Sequence, residues 1–116
     1  MKPSVLLVIT SDPRVSPKPA EAIRIAAGVG VWKKIEMTLY LRGAAILALS
    51  EHPDDLVDED NYTRYLPMIG EGNNPIYVQR GAPLLSNLGE TPVKYEEITD
   101  EQLATQAAQS RYVMHF

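Results

Sequence analysis

Val5-Leu6-Leu7-Val8-Ile9 is a continuous apolar run, closed by Thr10-Ser11-Asp12-Pro13. A short apolar run without polar alternation, bounded by turn residues, reads as a β-strand buried on both faces. The chain that follows agrees with that reading. Pro13, Pro17 and Pro19 form a loop, and from Lys18 the residues Ala20, Ala22, Ile23, Ala26, Ala27 and Val31 share one broad helical face. Glu21, Arg24, Lys33 and Lys34 are its polar counterparts. Ser16 or Pro17 marks the entry, and Pro19 falls in the first turn, where a missing N–H is harmless. Gly28 and Gly30 weaken the helix intrinsically. Close packing of the helix on a sheet is the expected reason for them.

The same alternation continues to the end of the chain. Glu36 to Leu41 reads as a second strand ending at Arg42-Gly43, and Ala44 to Leu49 as a short apolar helix stopped by Glu51-His52-Pro53. Asp54 to Asn61 is acidic and reads as an exposed loop. Tyr62, Tyr65, Leu66 and Ile69 recur at helical spacing between Asn61 and Gly70, closed by Gly70 and Gly72, with Pro67 expected to kink the helix or end it early. Pro75 to Gln79 is a third strand, Arg80 to Gly89 a loop or helical turn, and Val93 to Ile98 a fourth strand. Thr99 and Gln102 form a capping box, with Ile98 and Leu103 as its hydrophobic staple. The helix they open runs to about Ser110, and Tyr112-Val113-Met114 is a fifth strand.

Strands alternating with helices imply a mostly parallel sheet with helices on both faces. For five strands the expected architecture is a flavodoxin-like three-layer α/β sandwich of order 2-1-3-4-5, spanning residues 1–116 as a single domain.

Composition sets limits on chemistry. The chain has 116 residues, of which 45% are apolar and 22% charged, enough for one real core. Its formal net charge is −4, which argues against nucleic-acid binding, since phosphate neutralisation requires clustered Lys and Arg. The first apolar run is too short to span a membrane and is followed by no small-residue cleavage site, so a soluble cytoplasmic protein is expected. The sequence contains no cysteine, which excludes disulfides, Cys-ligated zinc and a Cys nucleophile.

In an open α/β sheet, ligands bind outside the carboxyl ends of the strands, where strand order reverses. With the order 2-1-3-4-5 that crevice lies between strands 1 and 3. Thr10, Ser11 and Asp12 flank it from the first loop, Arg42 and Gly43 from the second, and Gln79, Arg80 and Gly81 from the third. Two arginines with hydroxyl groups and loop N–H groups suit a small anion. The structural alternative is that Arg42 and Arg80 serve solubility or a subunit contact. Other constellations lack support. No nucleophile elbow surrounds Ser11, so a Ser11, Asp12 and His115 group has no motif behind it. His52 and His115 have no companion at metal-ligand spacing. The acidic run from Asp54 to Asp60 lacks the Gly and terminal Glu of a calcium loop and reads as a solvated face. Ser11-Asp12-Pro13-Arg14 is no nucleotide signature. No metal or cofactor is expected.

Three segments also carry a resemblance: Val5 to Thr10, Ala20 to Gly28, and Glu36-Met37-Thr38-Leu39-Tyr40-Leu41-Arg42-Gly43-Ala44-Ala45. In these the chain resembles the DsrE/DsrF family, which includes TusD-like sulfur-relay subunits and YchN-like proteins. The resemblance covers the order of elements throughout and is specific in the first half. It implies a flavodoxin-like domain assembled as a homo-oligomer, a trimer or hexamer. Active members of the family carry a persulfide on a cysteine just after the third strand. The matching stretch here is Tyr77-Val78-Gln79-Arg80-Gly81-Ala82-Pro83, with no cysteine. The expectation is therefore a non-catalytic member, acting as an oligomeric scaffold or small-ligand module. The alternatives are an enzyme of non-thiol chemistry on a small anionic substrate, and an accessory subunit whose sulfur-relay partner supplies the cysteine.

Overall fold

The computed structural model describes residues 3–30, 34–71 and 75–116. Val31, Lys33 and Gly72, assigned above to helix faces and ends, lie outside them. Among the described residues there are five strands: β1 (Ser4–Ile9), β2 (Glu36–Leu41), β3 (Ile76–Gln79), β4 (Glu96–Ile98) and β5 (Tyr112–His115). Three α-helices accompany them: α1 (Lys18–Gly30), α2 (Glu59–Glu71) and α3 (Asp100–Gln109). Short 3-10 helices cover Gly43–Leu49, Pro53–Asp55 and Pro83–Asn87.

Every strand pairing is parallel, as the apolar β1 run implies. The order is β4-β3-β2-β1-β5, which corrects the expected 2-1-3-4-5. The cause lies in the crossovers. Leu39 of β2 registers with Ile76 of β3, so β3 adds to the outer edge of β2 and not to β1. The β1–β2 and β2–β3 connections run over one face, where α1 and α2 pack together. Right-handed crossovers on one face carry the chain in one direction along the sheet. Only the connection through α3 crosses the opposite face, and it returns β5 to the free side of β1.

The strand residues divide cleanly between the faces. Leu7, Ile9, Leu39, Leu41, Ile76 and Val78 enter the main core with α1, α2 and the first 3-10 helix. Leu6, Val8 and Tyr40 enter a smaller cluster with Ile98, Leu103 and Ala107. The sheet is thus the middle of three layers, with its second face covered by α3.

Several elements differ in detail from their sequence expectation. α2 starts at Glu59, inside the stretch read as a loop, and Glu59 and Asp60 complement the helix dipole in its first turn. It continues through Pro67 to Glu71 instead of ending early. Pro67 and Thr63, whose carbonyl loses its usual helical partner, both lie on the exposed side of the helix. β4 is shorter than Val93–Ile98, because β3 offers partners only to Glu96, Glu97 and Ile98. Gly28 is exposed, and among the described residues a Cβ there would meet nothing within 4 Å, which does not fit close packing as the reason for this glycine. The capping box at Thr99 is formed as expected: Gln102 N–H donates to Thr99 Oγ1 at 3.2 Å, and Thr99 N–H donates to Gln102 Oε1 at 2.8 Å.

Candidate functional site

The carboxyl ends of β1, β2 and β3 carry the residues singled out above, in a different arrangement from the one expected. No crevice separates strands 1 and 3, since β2 lies between them. Strand order reverses between β1 and β5, and there the chain fills the gap itself. Thr10 N–H and Ser11 N–H both donate to the Phe116 carbonyl oxygen, at 3.0 and 3.3 Å. The adjacent loop is closed as well. Asp12 accepts from the Arg14 backbone N–H at 2.9 Å and from the Arg14 guanidinium at 2.9–3.2 Å. Those hydrogen bonds hold the Asp12 carboxyl below its ordinary pKa. Val57 N–H donates to the Pro13 carbonyl at 2.9 Å, tying this loop to the segment before α2.

The ends of β2 and β3 form a second group. Arg42 extends from β2 on the α3 side, two residues beyond buried Tyr40. Its Nη1 donates to Asp100 Oδ1 at 2.9 Å and lies 3.4 Å from the Tyr40 hydroxyl. The Asp100 bond raises the Arg42 pKa, while burial raises that of Tyr40. Gly43 follows with φ +59, and its N–H donates to Gln79 Oε1 at 3.1 Å. Gly81 repeats the device one strand further on, with φ +72 and its N–H donating to Glu97 Oε1 at 3.0 Å. Each glycine takes the left-handed conformation needed to leave the sheet, and a side chain of the next strand satisfies its amide. Arg80 donates its backbone N–H to the Ile98 carbonyl at 3.0 Å and is exposed.

The structure therefore brings Arg42, Gly43, Gln79 and Gly81 together, sets Thr10 and Ser11 under the chain's own Phe116, and pairs Asp12 locally. Sequence reasoning missed Asp100, Glu97 and Phe116, which occupy the groups expected to face a ligand. Asp100 has a legible signal, an acidic residue in the first helical turn beside the capping box. Glu97 and Phe116 have none, because their roles depend on strand register. His52 is exposed, and among the described residues no three His, Asp or Glu side chains gather as a metal site. A groove lined by Pro67, Ile69, Tyr77, Val93 and Tyr95 lies at the opposite, amino ends of β3 and β4 and includes none of the candidate ligand residues. No helix among the described residues is long and apolar enough to cross a membrane.

A five-stranded, all-parallel sheet between helical layers makes this an α/β fold. The crystal structure of the ychN protein from E. coli is similar to this chain over 100% of both chains, with a TM-score of 0.77 at 18% sequence identity. At that identity the likeness establishes the fold. No family model matches the sequence, and neither does any curated protein.

Proposed function

We propose that the chain is a non-catalytic DsrE-like subunit acting as a homo-oligomeric scaffold. One observation carries this reading: the loop N–H groups and the Arg42 guanidinium at the carboxyl end of the sheet are engaged within the chain, which leaves Arg80 as a single exposed cation there. The N–H groups of Thr10, Ser11, Gly43 and Gly81 all have intramolecular acceptors, and Arg42 is paired with Asp100. An anion site needs donors that are free and convergent. Gln79 and Arg80 stand where the resembling family places its reactive cysteine, and neither side chain supplies a sulfur. The likeness in fold to the ychN protein supports the family assignment.

Thermal unfolding in sodium sulfate or phosphate, against sodium chloride at equal ionic strength, tests this reading. The scaffold predicts no saturable rise in Tm, because a ligand that binds only the native state stabilises it by mass action. A saturable rise, abolished by both Arg42→Ala and Arg80→Ala, would restore the anion-binding alternative.

A further inference from the structure

The two edges of the sheet are built differently. β4 spans only Glu96–Ile98, and its Glu96 and Glu97 are exposed. A short, charged edge is a common guard against pairing with another chain. β5 has no such guard. It contains no acid, lysine or proline, and Tyr112, Val113 and Met114 are 56%, 38% and 45% exposed. Its inner edge is bonded to β1, and its outer edge has no partner among the described residues.

We propose that β5 pairs antiparallel with β5 of a second copy, about a two-fold axis at Met114, joining two sheets into one. This deepens the oligomeric reading above and rests on it. The register follows from the hydrogen bonds. Phe116 directs both backbone groups inward: its N–H donates to the Val8 carbonyl at 2.9 Å, and its carbonyl accepts from Thr10 N–H at 3.0 Å. Residues of a parallel strand alternate in this respect. Met114 and Tyr112 therefore also bond toward β1, while Val113 and His115 present their N–H and C=O groups outward. A two-fold axis at Met114 sets Val113 opposite His115 of the partner copy and satisfies all of these groups. An axis at Val113 would set His115 opposite Arg111, whose N–H is already given to the Ser4 carbonyl at 2.9 Å, and so leave the His115 carbonyl without a donor.

Side-chain placement agrees with this register. Val5 registers with Tyr112 and Leu7 with Met114, so Tyr112 and Met114 share the α1 face of the sheet, where Phe116 also packs. Across the axis Met114 meets its own counterpart and Tyr112 meets Phe116 of the partner copy, making one continuous apolar row. The other edge fits less well. Ile98 turns its carbonyl inward to Arg80, which leaves Glu97 as the only β4 residue with outward groups. Pairing β4 with itself also sets like charges against each other.

The absence of native cysteine makes a direct test simple. Cross-strand partners at a non-hydrogen-bonded position have Cα atoms about 4.5 Å apart, within the disulfide range. Met114→Cys is expected to form a covalent dimer under mild oxidation, whereas Ser86→Cys, on an exposed 3-10 helix at the other side of the domain, is expected not to. Val113→Pro removes an outward N–H that the subunit does not use internally. It should halve the native mass while retaining the far-UV CD spectrum. Met114→Lys, which leaves the backbone unchanged, should do the same if the proline variant fails to fold. An oligomer whose mass neither variant alters, and which Met114→Cys does not link, would overturn the β5 seam and leave the scaffold reading standing. Linkage only in a mixture of Met114→Cys with Glu97→Cys would replace the seam with head-to-tail pairing. A wild-type monomer would overturn both the seam and the scaffold.

Discussion

Arg42 Nη1 lies 2.9 Å from Asp100 Oδ1, joining the end of β2 to the first turn of α3 across a separation of 58 residues. α3 has no fully buried residue and is held on its face of the sheet through Leu103 and Ala107. The ion pair is therefore one of the few ties between this helix and the rest of the domain.

That tie predicts a local effect. Both side chains are substantially exposed, at 39% and 73%, so screening keeps the pair weak. A double-mutant cycle with Arg42→Ala and Asp100→Ala is expected to give a coupling of about 0.2–1 kcal/mol. Hydrogen exchange should rise in the first turn of α3 and stay unchanged in α1 and α2. Coupling absent in urea unfolding, together with unaltered exchange in α3, would show that the pair does not hold the helix.

Gly43 and Gly81 each adopt a positive φ two residues after a strand ends, and among the described residues a Cβ at either position would meet no atom within 4 Å. Steric crowding is therefore removed as a factor and only backbone conformation remains. Gly81→Ala and Gly43→Ala are each expected to cost about 1–2 kcal/mol, the penalty for an L-residue in the left-handed region. Asn at either position should recover part of that loss. Chemical denaturation measures both effects, and an Ala variant as stable as the parent would contradict the assigned turn conformation.

Tyr62 is 1% exposed in the main core, and its hydroxyl has no hydrogen-bond partner among the described residues. An unsatisfied buried hydroxyl costs about 1–3 kcal/mol. Tyr62→Phe keeps the ring and is expected to leave stability unchanged or raise it by about 1 kcal/mol. Burial, followed by the nearby Asp58 charge, raises the Tyr62 pKa. The neutral form is thus favoured in the folded chain, and the unfolded chain loses this proton at lower pH. Stability from this group is complete below the unfolded value of about 10 and is lost as pH climbs from there through the higher folded value. Tyr62→Phe should flatten that alkaline decline. An equally steep decline in the variant would assign it to other groups.

The β1 run showed a strand buried on both faces, and Thr99 with Gln102 marked the start of α3, because these features depend on local pattern and capping chemistry. Strand order was not legible in the same way. Nothing local in Pro75 to Gln79 distinguishes pairing with β2 from pairing with β1; the choice depends on which face carries the intervening helix. The candidate site suffered from the same gap. Arg42, Gly43, Gln79 and Gly81 do come together, but what they bond to depends on Asp100 and Glu97, which reach them only through tertiary register. The absence of cysteine was legible from composition alone.

A homo-oligomeric scaffold without a resident ligand, joined through a two-fold seam, has a definite mass. Native mass spectrometry of the purified, untagged chain reads it in one step. An even-numbered homo-oligomer, such as a dimer or hexamer, is expected, with a mass equal to that of the polypeptide alone. A bare monomer, or an assembly carrying a stoichiometric small anion, would refute the scaffold; an odd-numbered ring would refute the two-fold seam alone.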